Sequence, residues 1–137
     1  MTPEQMAELH LATRDNARVW SAQEYHTLIN DPLATLFSGE TGFALGRVVQ
    51  NEAELLMIIV QPNQQSRGYG RAYLTGFEIE CRKRGAKNCL LEVAANNNAA
   101  KSLYWSSGYE QTGIRKLYYH LDNKQRLDAL ILRKILV

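Results

Sequence analysis

The fold is decided by the stretch Leu55-Leu56-Met57-Ile58-Ile59-Val60 and by the segment that follows Pro62, Gln65-Ser66-Arg67-Gly68-Tyr69-Gly70-Arg71. A short, continuous apolar run that ends at a proline predicts a buried strand. The residues after the two glycines have apolar positions at three- and four-residue spacing, which predicts a helix. The order is therefore strand, glycine loop, helix.

This glycine loop is a candidate site for an anion. The backbone N–H groups of a helix's first turn have no partner within the helix, and the helix dipole favours negative charge there. Gly68 and Gly70 let the backbone approach a ligand closely. The loop lacks the Gly-Lys-Ser/Thr of a mononucleotide loop, and Tyr73 replaces the third glycine of a dinucleotide fingerprint. Taken alone, the loop is better explained as a tight strand-to-helix turn that binds nothing.

The sequence after the long helix helps to decide whether the glycine loop binds a ligand. Further along the chain come Glu92-Val93-Ala94-Ala95-Asn96-Asn97-Asn98-Ala99-Ala100-Lys101-Ser102-Leu103-Tyr104, then Gly108-Tyr109, then Ile114-Arg115-Lys116-Leu117-Tyr118-Tyr119. Together with the glycine loop, these segments resemble the GNAT superfamily of N-acetyltransferases. Within it they resemble the RimI-type ribosomal-protein-alanine N-acetyltransferases. The resemblance covers roughly residues 52–132.

The resemblance implies the architecture. We expect one N-acetyltransferase domain over residues 1–137, of the α/β (α+β) class. Its sheet should be mixed and mostly antiparallel, with helices on both faces. A splayed pair of parallel strands should hold acetyl-CoA. Members of the family usually have a strand before the first helix, and here we expect that strand to be missing or vestigial.

Local patterns agree with this order of elements. Ser21 and Glu24 have the spacing of a capping box that starts a helix. In the long helix, Leu74 and Phe77 should face the core, whereas Glu78 should be more exposed. The predicted helices are 2–14, 21–29, 68–84 and 99–107, and the predicted strands are 33–37, 43–49, 53–61, 88–94, 109–121 and 126–136.

The composition argues against several other classes of protein. The net charge of +2 is too small to favour direct nucleic-acid binding. The chain has no apolar run of the ~18 residues that a membrane helix needs. Cys81 and Cys89 lack the spacing of a zinc or redox motif, so we expect reduced core thiols and a cytoplasmic protein. The three histidines are scattered, and no metal site is predicted.

The resemblance also assigns cofactor contacts. The backbone of strand residues should hold the pantetheine arm, and the glycine loop should cradle the pyrophosphate, with positive charge from two arginines. Asn97 should contact the cofactor ahead of the last helix, although a simple helix cap is the alternative. The predicted contacts are Ile58, Ile59, Val60, Ser66, Arg67, Gly68, Tyr69, Gly70, Arg71 and Asn97.

Two residues match the family's catalytic positions. Acetyl transfer from a thioester needs a neutral amine, a stabilised oxyanion and a proton for the leaving thiolate. Glu92 is expected to accept the amine's proton, and Tyr104 to protonate the thiolate. The simpler alternatives are a solvent-facing strand glutamate and a packed aromatic side chain.

The acceptor is predicted with less detail. Tyr118 and Tyr119 resemble a tyrosine pair that flanks the incoming peptide terminus, although cross-strand packing would also explain them. His120 and Leu127 depart from the family pattern, which has a proline and an acid there. The expected acceptor is a protein N-terminus, that of a ribosomal protein if the RimI resemblance extends to the substrate, and the expected state is a monomer or weak dimer. A lysine or small-molecule acetyltransferase and a silent acyl-CoA-binding module stay open.

Overall fold

The computed structural model describes residues 1–13, 19–120 and 126–137, with only the backbone described for 118–120. The helices in these residues are α1 (Pro3–Thr13), α2 (Ala22–Ile29), α3 (Tyr69–Lys83) and α4 (Asn98–Ser106). The strands in the same residues are β1 (Ala34–Ser38), β2 (Gly42–Val49), β3 (Glu52–Val60), β4 (Asn88–Ala94), β5 (Glu110–His120) and β6 (Arg126–Ile135). A 3₁₀ turn, Pro62–Gln64, precedes the glycine loop. The predicted loop 122–125 lies outside the described residues, as does the predicted end of α1 at Arg14.

Side-chain caps start the two N-terminal helices. Ser21 accepts a hydrogen bond from the Glu24 N–H at 3.1 Å, and the Glu24 carboxylate accepts one from the Ser21 N–H at 3.1 Å. The predicted capping box is therefore confirmed. Thr2 and Gln5 make the equivalent reciprocal bonds at the start of α1, at 3.1 and 2.7 Å. These bonds satisfy first-turn N–H groups that a helix leaves without partners.

The sheet has the strand order β1-β2-β3-β4-β6-β5, and each neighbouring pair except one is antiparallel. The exception is β3 with β4, which are parallel because α3 connects them. Their pairing runs from Glu52 opposite Asn88 to Glu54 opposite Leu90. β3 then continues to Val60 and β4 to Ala94. The expected mixed sheet with a splayed parallel pair is confirmed.

Alternating side chains place a separate core on each face of the sheet. The α3-face core lies under α3 and α4 and contains Leu74, Phe77, Leu91 and Val93, among others. The α1–α2-face core contains Met6, Leu9, Tyr25, Phe43, Leu45 and Ile59. Because strand side chains alternate between faces, Ile58 and Val60 pack on the α3-face core while Ile59 belongs to the other. Helices therefore cover both faces, as expected.

One expectation about α3 is wrong. Glu78 is 4% exposed instead of facing water. Its carboxylate accepts a hydrogen bond from the Tyr109 hydroxyl at 2.8 Å and forms an ion pair with Lys134 Nζ at 2.9 Å. A buried carboxylate is tolerated when it is paired and hydrogen-bonded in this way. The helical pattern put Glu78 on the more exposed side of α3, but its partners, Tyr109 just before β5 and Lys134 on β6, are distant in sequence.

The two cysteines are free and fully buried, as expected. Burial disfavours the thiolate and raises the pKa of Cys81 to about 12 and that of Cys89 to about 11. We therefore predict that neither thiol reacts appreciably with a disulfide reagent at pH 8 in the folded protein, since the thiolate is the nucleophile. Both should react quickly in concentrated urea. Rapid modification of either thiol without denaturant would contradict this prediction.

Among the described residues, the structure has no helix that is both long and apolar enough to cross a lipid bilayer.

Candidate functional site

The site is centred on the gap where β3 and β4 separate. After Glu54 and Leu90, the two strands have no ladder pairing with each other among the described residues. The far edge of β3 stays paired with β2 up to Val60, and β4 stays paired with β6 up to Ala94. Each strand therefore presents backbone polar groups towards the gap. An extended, amide-bearing chain that entered there could satisfy them.

The glycine loop closes one end of this gap. Ser66 and Gly68 both have left-handed backbone conformations, with φ of 63° and 86°. A left-handed residue next to a right-handed one turns successive N–H groups towards one point, and Gly68 stands in this relation to the first turn of α3. Gly68 is the N-cap of α3 and has no side chain to occupy the first-turn N–H groups, unlike the caps of α2 and α4. The loop is exposed.

The loop is held at both of its ends. The Gln65 side-chain amide donates to the carbonyl of Val60 at 3.2 Å, which fixes the loop to the end of β3. On the other side, a Cβ added to Gly70 would lie 3.3 Å from Leu103 Cδ2, so the first turn of α3 packs against α4. The loop is therefore positioned by the strand before it and by the last helix.

Glu92 lies on β4, beyond the point where β4 leaves β3. Its neighbours Leu91 and Val93 belong to the α3-face core, so Glu92 faces the opposite side of the sheet, where α1 and α2 lie. The Glu92 carboxylate forms an ion pair with Arg115 Nε at 3.1 Å, and its side chain is 30% exposed. The carboxylate is half-buried, charge-paired and accessible, which differs from a freely solvated strand glutamate.

Tyr104 lies on α4, on the other face of the sheet. It is 6% exposed and belongs to the α3-face core, against which Ile58, Val60 and Leu103 also pack. Its ring contacts Tyr109 edge to face, with the ring centroids 5.8 Å apart. Glu92 and Tyr104 therefore approach the opened strands from opposite faces. The gap between the strands is where groups from both faces can reach one ligand.

The remaining predicted contacts are placed as follows. The Asn97 side chain accepts a hydrogen bond from the Ala100 N–H at 3.2 Å and caps α4, so its cofactor contact stays a prediction. Arg67 is exposed beside the loop, whereas the Arg71 guanidinium is hydrogen-bonded to the end of α4. Tyr118 and Tyr119 lie on β5, but their side chains are outside the described part of the chain.

Sequence reasoning missed an irregularity in β5. Arg115 pairs with Ala129 and Tyr119 pairs with Leu127, so β5 has two more residues than β6 over this interval. Within it, Leu117 has a left-handed φ of 53°, and its N–H donates to the Asp128 carboxylate at 2.9 Å. Leucine gives no signal for this conformation, which glycine and asparagine usually adopt. The bulge lies directly after the arginine that pairs with Glu92.

The site thus combines an open strand pair, a glycine loop with two left-handed residues, a carboxylate and a phenol. Residues 6–109 match the acetyltransferase (GNAT) family. The chain belongs to this family and is an acyltransferase.

Particular relatives extend the match. The chain is 35% identical over 130 residues to the ribosomal protein bS18-alanine N-acetyltransferase of Escherichia coli K12, covering 92% of this chain and 87% of that protein. The enzyme of the same name from Salmonella typhimurium is 44% identical over 77 residues, which cover 56% of this chain and 52% of the relative. The crystal structure of the Escherichia coli ribosomal-protein-S18-alanine N-acetyltransferase matches with a TM-score of 0.80 and 33% identity. That match covers 95% of this chain and 86% of the solved one.

Proposed function

We propose that this protein is a single N-acetyltransferase domain that transfers acetyl directly from acetyl-CoA to the N-terminal α-amine of a protein in the cytoplasm. A ribosomal protein is the first acceptor to test, because the relatives named above act on ribosomal protein bS18. The observation that carries the proposal is the placement of Glu92 and Tyr104 on opposite faces of the sheet beside the β3–β4 gap. In the proposed reaction, Glu92 is the base that accepts the amine's proton, and Tyr104 is the general acid that protonates the CoA thiolate as it leaves.

The chain's own groups fit acetyl-CoA. The unpaired edges of β3 and β4 suit the amides of a pantetheine arm, with Ile58 to Val60 supplying the β3 backbone. The loop from Ser66 to Arg71, with its two left-handed residues, suits a pyrophosphate. Arg67 is exposed beside it and adds positive charge.

The acceptor choice follows from the cost of making the amine neutral. An α-amine has a pKa of about 8 and a lysine one of about 10.4, so neutralising them at pH 7 costs about 1.4 and about 4–5 kcal/mol. The proton acceptor proposed here is a single half-buried carboxylate that is already in an ion pair with Arg115. It is better matched to the smaller cost, and therefore to an α-amine. Tyr118 and Tyr119 are proposed to flank the acceptor's first residues.

The first experiment measures thiol release from acetyl-CoA with two peptide sets. One set has free N-termini, varied at the first residue and lacking lysine, and the other has blocked N-termini and one lysine. We expect turnover on the first set only. Turnover on the second set alone would make the protein a lysine acetyltransferase. Acetyl-CoA binding with no turnover on either would favour a small-molecule acceptor or a silent binding module.

Glu92→Gln tests the proposed base. We expect about a tenfold loss of kcat/KM at pH 7, because about 1.4 kcal/mol of proton removal is then left to solvent. The loss should shrink towards pH 9, where the α-amine is already neutral. A pH-independent loss would show that Glu92 acts in another way. Glu54→Gln, in an exposed ion pair with Arg47, is the matched control and should change little.

Gly68→Val tests the proposed cradle. A side chain at φ of 86° costs about 1–2 kcal/mol, and a β-branched one the upper end of that range. A Cβ at Gly68 would meet no atom within 4 Å, so the effect should come from backbone conformation and not from a clash. We expect acetyl-CoA to bind roughly 30-fold more weakly by calorimetry. Gly85→Val, at φ of 89° at the other end of α3, should leave binding unchanged.

A further inference from the structure

We infer that the side chain of Arg71 is a positioning residue that ties the glycine loop to the helix bearing Tyr104, and is not itself a phosphate ligand. The inference rests on the proposed function, in which Tyr104 is the general acid. It separates two roles for one residue. The backbone of Arg71 stays part of the proposed pyrophosphate cradle, while its guanidinium acts on α4.

Among the described residues, the hydrogen bonds of the Arg71 guanidinium go to the C-terminal end of α4. Its Nη2 donates to Ser106 Oγ at 2.5 Å, and its Nη1 donates to the Ser106 carbonyl at 3.4 Å and to Ser107 Oγ at 3.3 Å. Ser106 Oγ in turn donates to the Leu103 carbonyl at 3.1 Å. A cation at a helix C-terminus is also favoured by the helix dipole. The planar guanidinium thus holds the last turn of α4 at several points.

That last turn is the one that sets the position of Tyr104. The Tyr104 carbonyl accepts hydrogen bonds from the N–H groups of Ser107 and Tyr109, at 3.1 and 3.0 Å. Gly108 lies between them with a left-handed φ of 97°. Moving the Ser106–Ser107 turn would therefore move the backbone of Tyr104 and the Tyr109 ring that packs against it.

The two arginines of the loop differ in what their guanidinium groups contact. Arg67 is exposed, and its guanidinium reaches Gln64 of the same loop at 3.5 Å. Arg71 reaches across 35 residues of sequence to a different element. A phosphate ligand would take Arg71 away from acceptors it already has, whereas Arg67 would exchange one long contact. The geometry therefore favours Arg67 as the phosphate ligand and Arg71 as the residue that holds the end of α4 in place.

The test compares Arg71→Gln with Arg67→Gln, measuring acetyl-CoA Kd by calorimetry and kcat with the preferred acceptor. Arg71→Gln should lower kcat about tenfold with Kd changed less than twofold, because a small misplacement of a catalytic group is costly. Arg67→Gln should instead weaken acetyl-CoA binding. The double variant Ser106→Ala/Ser107→Ala leaves Arg71 in place and should reproduce the kcat loss. Arg71→Lys, which cannot make the fork, should recover only part of it.

A double-mutant cycle decides whether Arg71 acts through Tyr104. In a Tyr104→Phe background, Arg71→Gln should cause no further loss of kcat. Additive losses, or a weakened Kd for Arg71→Gln with kcat retained, would overturn the inference while leaving the proposed function intact. Full activity of Tyr104→Phe alone would remove the acid assignment and this inference with it. Thermal unfolding of each variant identifies any that simply fail to fold.

Discussion

Replacing Tyr104 with phenylalanine is expected to lower kcat about 100-fold while leaving the Kd for acetyl-CoA unchanged. General acids contribute roughly 10²–10⁴-fold, and a 100-fold loss corresponds to about 2.7 kcal/mol of transition-state stabilisation. Phenylalanine keeps the edge-to-face contact with Tyr109 and the packing of a side chain that is 6% exposed. The loss should therefore fall on the chemical step, measured by single-turnover thiol release, and not on folding.

The control is Trp105→Phe, on the same helix. Trp105 is 48% exposed and lies beside the Lys101 ammonium, 5.6 Å from its ring centroid. This substitution changes an aromatic ring of α4 without touching the proposed acid, so kcat should stay within about twofold. Retention of full activity by Tyr104→Phe across the whole pH range would show that another group, or water, protonates the thiolate.

The second large effect is on stability. Lys134→Met should reduce the free energy of unfolding by about 3 kcal/mol, because it leaves the Glu78 carboxylate buried without its charge partner. Glu78 is 4% exposed, and only the Tyr109 hydroxyl bond at 2.8 Å would remain to it among the contacts described above. A loss of this size is a large part of the ~5–15 kcal/mol of a typical domain. Urea unfolding monitored by circular dichroism measures it.

A surface pair gives the comparison for this effect. Lys83 pairs with Glu80, three residues earlier in α3, at 3.2 Å, and the two side chains are 66% and 38% exposed. Exposed pairs contribute about 0–1 kcal/mol, so Lys83→Met should leave the free energy of unfolding almost unchanged. Adding Glu78→Leu to Lys134→Met should recover part of the lost stability, since the unpaired charge is then gone. Equal losses from Lys134→Met and Lys83→Met would mean that burial of Glu78 has no energetic consequence.

Much of the fold was predictable because its signals are local. The capping box at Ser21, the strand–glycine loop–helix order and the parallel relation of β3 and β4 all follow from short segments. Glu78 was misjudged because its partners, Tyr109 and Lys134, lie 31 and 56 residues away in sequence. Helical periodicity reports which side of a helix a residue occupies. It cannot report that a distant lysine will accompany a carboxylate into the core.

The candidate site was also predictable only where its signals are local in sequence. The glycine loop and the spacing of Glu92 and Tyr104 were visible as a recurring pattern, and the structure places them around one gap. The pairing of Glu92 with Arg115 was not predictable, because it depends on the register of β5 across β6. The bulge at Leu117 was hidden as well, since a leucine rarely adopts a positive φ. Arg71 was expected at a phosphate, and its bonds to α4 became visible only in three dimensions.

The short β3–β4 ladder has a consequence for the order of events in catalysis. The sheet consists of two three-stranded halves, β1–β3 and β4–β6. The two halves meet at a seam between β3 and β4, where three residue pairs join them. Glu92 belongs to one half, and α1 and α2 cover the other. A first ligand that bridges the seam would fix the distance between the halves before the acceptor arrives. We therefore expect ordered binding, with acetyl-CoA first, and slower amide hydrogen exchange along both sides of the seam once it is bound.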